Sequence, residues 1–336
     1  MTSTASVLVT GASGFLGGHL TQTLVQQGLT PRIFIRPNSR RATLPLDKVE
    51  VIEGDLRDAD ALKKAVSGVS LVYHCAATMK GSKAEFFESN VQGTQQLLAA
   101  AQSAGVQRFM HVSSVAVYGP GQKTIIREEE GYDPFPQQRG YYTWTKIESD
   151  RLSLQFAKEQ NFPVTVLRPG IIYGPGTKPF FARLHYNLKG KAHIVIGQPN
   201  ALLPLVFVKS VVAALLLAGE KPLSPFSVYN VVDGAIRQGD LLERQAEAMQ
   251  KRVRPVYLPP RFVGIGAMAL ETVYRLLRRG SPALSRYRVQ RACQSLAHDT
   301  TKARKELGWR PEISLPEGLQ QTWQWWTQHR AASPTV

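Results

Sequence analysis

Cysteine is scarce in this 336-residue chain: Cys75 and Cys293 stand far apart, with no CxxC and no metal-ligand spacing around them. That excludes a disulfide framework and a structural zinc site, and it predicts a reducing compartment in which neither thiol is catalytic. Long apolar runs are missing as well. The nearest, Ser210 to Gly219, is far shorter than the roughly 18 residues a membrane-crossing helix needs. No charged stretch precedes the first apolar run, and glycines punctuate that run from Gly11, so no signal peptide is expected and the cytoplasm is the predicted location. The histidines, His74 and His111 among them, lack ligand-like spacing and read as structural, so no metal is expected.

Acids are also few, 25 against 41 Lys and Arg, which gives a formal charge of +16. Much of the excess is local. Lys251 to Arg310 holds fourteen Lys/Arg against three acids, Glu271, Asp299 and Glu306, a net +11. Such a block attracts nucleic acid, anionic lipid or an acidic partner. No nucleic-acid motif accompanies it, so no nucleic acid is expected; a solvated basic face and a peripheral contact of 251–310 with anionic membrane both stay open.

What is present is an alternation of strand and helix, with 43% hydrophobic residues to build a core. Ser6 to Thr10 reads as a buried strand, followed at once by Gly11-Ala12-Ser13-Gly14-Phe15-Leu16-Gly17 and a helix-like run from His19 to Gln27. Glycines let backbone approach a pyrophosphate, and the helix start favours the anion. Arg32 to Arg36 is the second strand. It ends on Arg36, with Arg40 and Arg41 following, where a NAD site usually places an acid; the basic loop suits a 2′-phosphate and favours NADP(H), with NAD(H) left open.

Val49 to Leu56 gives a third strand ending in acid, and Asp58 to Val66 a helix. Leu71 to Ala77 is the next strand, running into Ala76 and Ala77, small residues that admit a flat ligand. Asn90 sits on a long helix reaching about Ala104, and Arg108 to Ser114 is a fifth strand ending in Ser113 and Ser114. This order predicts right-handed crossovers and a doubly wound parallel α/β sheet.

Tyr142 and Lys146 are four residues apart, so a helix would set them on one face. A phenol near pKa ~10 is a poor acid or base at neutral pH, and a neighbouring cation lowers that value. Taken together, Thr10 to Gly17, Gly54-Asp55-Leu56, Ser113-Ser114 before Val117-Tyr118-Gly119, the Tyr142/Lys146 pair, and Arg168-Pro169-Gly170 with Tyr173-Gly174-Pro175 resemble the extended short-chain dehydrogenase/reductases, over almost the whole chain.

The resemblance implies a Rossmann domain over 1–175, with 206–232 returning to it, and a smaller C-terminal substrate-binding lobe over 176–205 and 233–330. It implies Tyr142 as acid/base, with Lys146 lowering its pKa and holding the nicotinamide ribose. Ser114 would bond the reacting oxygen and Asn90 would organise the site. Asp55 would meet the adenine amino group with Leu56 beside it; Ser113, Pro169 and Gly170 would complete the cofactor site. A homodimer stays open.

Three departures bear on the branch. Dehydratases of the family follow the first active-site hydroxyl with Asp-Glu, whereas this chain has Ser114-Val115. Sugar-nucleotide enzymes carry an Arg-Asp pair where this chain has Leu202 to Ser210, and an unpaired diphosphate in an apolar site is costly, unless another arginine such as Arg183 meets it. Pro259-Pro260-Arg261 and the apolar run Phe262 to Leu277, ending with Arg275, Arg278 and Arg279, resemble the tail of the 3β-hydroxysteroid dehydrogenase and dihydroflavonol reductase branch. The expectation is an NAD(P)(H)-dependent oxidoreductase interconverting a secondary alcohol and ketone on a hydrophobic, steroid-like or long-chain substrate. A nucleotide-sugar epimerase and a catalytically silent cofactor-binding or membrane-associated protein are the alternatives.

Overall fold

Val7–Thr10, strand β1, is buried along its whole length, because it lies at the centre of a sheet covered on both faces. Val7 and Val9 join one apolar cluster and Leu8 the other, the period-2 alternation of a strand serving two cores at once. In the computed structural model, which describes residues 6–119, 124–177, 185–188, 192–196, 198–221, 224–248, 250, 255–276, 286–287, 289 and 296–329, the chain alternates as expected. After β1 come α1 (Phe15–Gln26), β2 (Arg32–Ile35), β3 (Glu50–Glu53), α2 (Ala59–Val66), β4 (Leu71–His74), α3 (Lys83–Phe87), α4 (Gly93–Ser103), β5 (Arg108–Val112), β6 (Ile125–Ile126) and α5 (Tyr141–Gln160). Then follow β7 (Val164–Pro169), β8 (Ile171–Tyr173), β9 (His185–Leu188), β10 (Ala192–Ile196), β11 (Leu202–Phe207), α6 (Val208–Glu220), β12 (Phe226–Val231) and β13 (Gly234–Arg237). The chain closes through α7 (Gln238–Ala248), β14 (Pro255–Leu258), α8 (Pro260–Leu276), β15 (Ala297–His298) and α9 (Leu315–His329).

The main sheet is seven-stranded in the order β12-β7-β5-β4-β1-β2-β3, and every pairing is parallel. The strand order reverses between β1 and β4, so a crevice opens at their carboxyl ends, where ligands of open α/β sheets bind. Gly11 and Cys75-Ala76 stand on its two sides.

Beyond β7 the chain builds smaller sheets: β13-β11-β8, β14-β10-β9 and the pair β15-β6. Its tail is anchored by Trp309, fully buried, whose indole Nε1 donates to the Ser210 carbonyl at 2.8 Å. Two expectations change here. The helix holding Asn90 is not regular: Glu88–Gln92 winds as a π-type turn between α3 and α4. Leu205 and Phe207 pack with Tyr173, Ile236, Leu241 and Leu319, so the apolar character of that stretch is at least partly core packing. Arg183, Cys293, Leu277, Arg278 and Arg279 lie outside the described residues.

Candidate active site

The crevice is a cleft of about 370 Å³ lined by the β1–α1 turn, the ends of β2 and β3, and the segment after β4. Gly11, with φ +72°, forms the turn, and Gly14 N–H closes it on Gly11 O at 2.9 Å. Neither Gly11 nor Gly17 has room for a side chain. A Cβ on Gly11 would lie 2.7 Å from Ala76 Cα, and one on Gly17 2.2 Å from Gly11 O. Gly11, Ser13, Gly14, Arg36, Arg40, Asp55, Leu56, Ala76 and Ala77 all line the cleft.

Other residues named from the sequence take different places. Leu16 and Gly17 are buried at the start of α1, and Phe15 meets His19 edge-on at 5.2 Å. Arg41 is held by Glu53 at 2.6 Å. Pro169 ends β7, and Gly170 is pinned beside it by its N–H to Val231 O at 3.0 Å. Asn38, Ser39, Thr78 and Ser89 also line the cleft; the first three are loop residues and Ser89 lies in the π-type turn, and none carries a motif that would single it out.

The donors and shape fit a dinucleotide. A bare glycine turn opens a helix whose N-terminus favours a pyrophosphate. Asp55 sits across the cleft, its carboxylate held below its usual pKa first by the Arg57 side chain, which bonds both oxygens at 2.7 and 3.2 Å. Arg36 and Arg40 are exposed at the far end, where a ribose 2′-substituent would fall.

Tyr142 is the second residue of the 20-residue α5, and Gly140 at φ +107° turns the chain into it. The phenol is half-buried, and burial alone pushes it up to about 12. Lys146 is buried and its Nζ donates to Val112 O at 2.6 Å. Burial lowers it to about 8, with Asp150 opposing. Burial is the whole cause of the Tyr142 shift, and none of the expected lowering by Lys146 accompanies it. The reason is physical: an ammonium taken out of water needs an acceptor, and a carbonyl at the end of β5 supplies one.

Ser114 is half-buried and its Oγ accepts from Ala116 N–H at 3.1 Å, capping a short 3₁₀ turn. Ser113 instead points its hydroxyl inward, donating to Asp150 at 2.5 Å. Asp150 also pairs with Arg168 at 2.8 Å, both side chains almost wholly buried, and accepts from Tyr132 OH at 2.8 Å. Arg168 in turn donates to Tyr118 OH, and Tyr118 to Asn230. The network fixes the ends of β5, β7 and β12 against α5. Its signal in the sequence was slight: Asp150 is four residues beyond Lys146, and Arg168 belonged to a motif without a role.

Asn90, buried in the π-type turn, accepts from Thr78 N–H at 2.6 Å and donates to Thr78 O and Thr145 Oγ1. It ties the cleft wall to α5 one residue before Lys146. His74 bridges Thr10 and Thr94 at 2.8 and 2.9 Å. Burial lowers it to about 3, so the ring is neutral. Because Thr94 gives its proton to Asn90 O, His74 donates from Nε2 and accepts at Nδ1. Burial pushes the Cys75 thiol up to about 12, leaving it protonated.

A model of the NAD dependent epimerase/dehydratase family matches residues 7–231. The chain belongs to that family. Among this epimerase/dehydratase chain's relatives is the 3 beta-hydroxysteroid dehydrogenase/Delta 5-->4-isomerase of Mycobacterium tuberculosis, 30% identical over 337 residues, covering 95% of this chain and 89% of the relative. The 3-beta-hydroxysteroid dehydrogenase of Mycolicibacterium neoaurum is 27% identical over 333 residues, with 95% and 90% covered. A solved structure of MoeE5 in complex with UDP-glucose and NAD is 28% identical with a TM-score of 0.74, covering 98% of this chain and all of that one. The protein is an enzyme of the extended short-chain dehydrogenase/reductase type.

Proposed function

We propose that the protein interconverts a secondary alcohol and a ketone on a steroid-like or long-chain substrate, with NADP(H) as the preferred cofactor. The observation that supports the chemistry is a half-buried Tyr142 in the first turn of α5, one helical turn before the buried Lys146, with a half-buried Ser114 two residues beyond β5. The substrate class is supported by whole-length relatives named as 3β-hydroxysteroid dehydrogenases.

The glycine turn would hold the pyrophosphate, Asp55 and Leu56 the adenine, and Arg36 with Arg40 a 2′-phosphate. When bound, the nicotinamide supplies the hydride acceptor or donor. Everything else falls to the chain. A phenol near pKa 12 is protonated at neutral pH, so in the reductive direction Tyr142 gives its proton to the carbonyl oxygen while Ser114 holds that oxygen. In the oxidative direction the Tyr142 phenolate takes the proton, a form the positive end of α5 favours, and Lys146 would hold the nicotinamide ribose. Asn90 keeps the cleft wall and α5 in register. The substrate would lie between this site and a lobe formed by 176–205 and 233–330.

A nucleotide-sugar reading is favoured by one observation, the likeness to MoeE5 with UDP-glucose. A panel of sterols, hydrophobic ketones and nucleotide sugars, followed by cofactor absorbance, separates the two. Turnover of sterols or ketones supports the proposal. Turnover of nucleotide sugars alone, with cofactor retained through purification, overturns it.

A further inference from the structure

Helix α8 is apolar nearly all round, and among the described residues only one side of it is covered. Val263 and Ala267 are buried and pack with Val289. On the other side Phe262, Ile265, Met268, Val273 and Leu276 are 46% to 78% exposed. At 3.6 residues per turn these five fall within an arc of about 140°, opposite Val263 and Ala267. Ala269 and Thr272, also exposed, fill the same arc. Arg261 stands at its edge, its guanidinium 5.0 Å from the Phe262 ring. The acid on this helix, Glu271, lies off the arc and is paired with Arg286 at 2.9 Å. A water-facing helix side normally carries charge, and a contiguous apolar patch marks an interaction surface.

Charge decides between occupants. The sixty residues from Lys251 to Arg310 hold fourteen Lys/Arg against three acids. A second copy would bring the same positive block to the contact and be repelled. An anionic bilayer attracts it and accepts the apolar side chains at the acyl boundary. None of the described helices is long and apolar enough to cross a membrane, and α8, 17 residues long, spans about 25 Å. It would lie in the plane of the interface.

We propose that α8 seats the protein on an anionic membrane surface, with Phe262, Ile265, Met268, Val273 and Leu276 entering the acyl boundary and Arg261 among the phosphates. The seat is tied to the candidate active site. Tyr287, just after α8, donates to Asp133 at 2.5 Å and meets the Phe135 ring edge-on, and Asp133 lies in the segment leading into α5. A lipid-dissolved substrate would thus be met beside the loop that introduces Tyr142. The membrane contact itself does not rest on the substrate reading.

Vesicle flotation of the full chain tests it, with phosphatidylcholine alone and with phosphatidylcholine plus phosphatidylglycerol. Binding to anionic vesicles is expected, about tenfold weaker for neutral vesicles and at high salt. The double variant Ile265→Ser/Val273→Ser should lose about tenfold in affinity at unchanged melting temperature. Should that variant melt early, Arg261→Glu decides in its place, again by weakened binding. Absence of binding to anionic vesicles overturns the proposal, as does equal binding by the folded variants. A lipid-free dimer that the double variant converts to monomer overturns it too, in favour of a second copy on this face.

Discussion

Replacing Lys146 by Met separates its proposed role in the reaction from its cost to the fold. In the folded chain burial lowers the lysine from 10.5 to about 8. At 1.36 kcal/mol per pKa unit, carrying its charge inside costs the fold about 3 kcal/mol below pH 8. Met fills similar volume without that charge, but leaves Val112 O without the 2.6 Å bond it now accepts, a loss of about 1–2 kcal/mol. The variant should be about 1–2 kcal/mol more stable at pH 7 by urea denaturation. Its turnover should fall by about a hundredfold or more. The sign of the pH dependence follows from the lowered value. Between pH 8 and 10.5 the unfolded lysine holds its proton while the folded one releases it, so wild-type stability rises with pH and the variant's advantage shrinks. A variant less stable than wild type at pH 7, or an advantage that does not shrink by pH 10.5, would refute the reasoning.

Gly17→Ala should cost about 1–3 kcal/mol and weaken cofactor binding about tenfold, because its Cβ would lie 2.2 Å from Gly11 O; unchanged melting and titration would count against the turn as drawn. Arg36→Asp should raise the KM for NADPH about tenfold and spare NADH; equal kcat/KM for both cofactors in the wild type removes that argument. Burial raises Asp233 from 3.8 to about 6 while its Oδ2 accepts from Phe207 N–H at 2.6 Å. Folded-state stability is therefore lost as pH rises from about 4 to 6. Asp233→Asn keeps the acceptor and should be about 1–2 kcal/mol more stable at pH 7, after allowance for solvent screening, converging with wild type below about pH 4; a variant that is no more stable at pH 7 would show the burial cost to be small.

The nucleotide half was legible because its signals are local. Gly11 and Gly17 sit where backbone contact leaves no room for Cβ, and β1 alternates between two cores. Asp58 caps α2, its side chain accepting from Asp60 and Ala61 N–H. What was not legible depends on distant partners. Spacing puts Tyr142 and Lys146 on one face but says nothing of the Val112 carbonyl beneath. The Asp150–Arg168 pair joins α5 to β7 and leaves no periodic trace. The apolar run at Leu202 to Leu205 reads the same whether it lines a pocket or fills a core, and Leu205 fills a core. The π-type turn at Glu88–Gln92 was likewise invisible, since a helical pattern survives one widened turn.

The central claim is that Tyr142 moves the proton at the reacting oxygen. Steady-state turnover of Tyr142→Phe on the best substrate of the panel, with cofactor affinity measured in parallel, tests it most directly. The account predicts a loss of about a hundredfold or more in kcat with cofactor binding nearly unchanged. A variant that keeps most of its rate would contradict it.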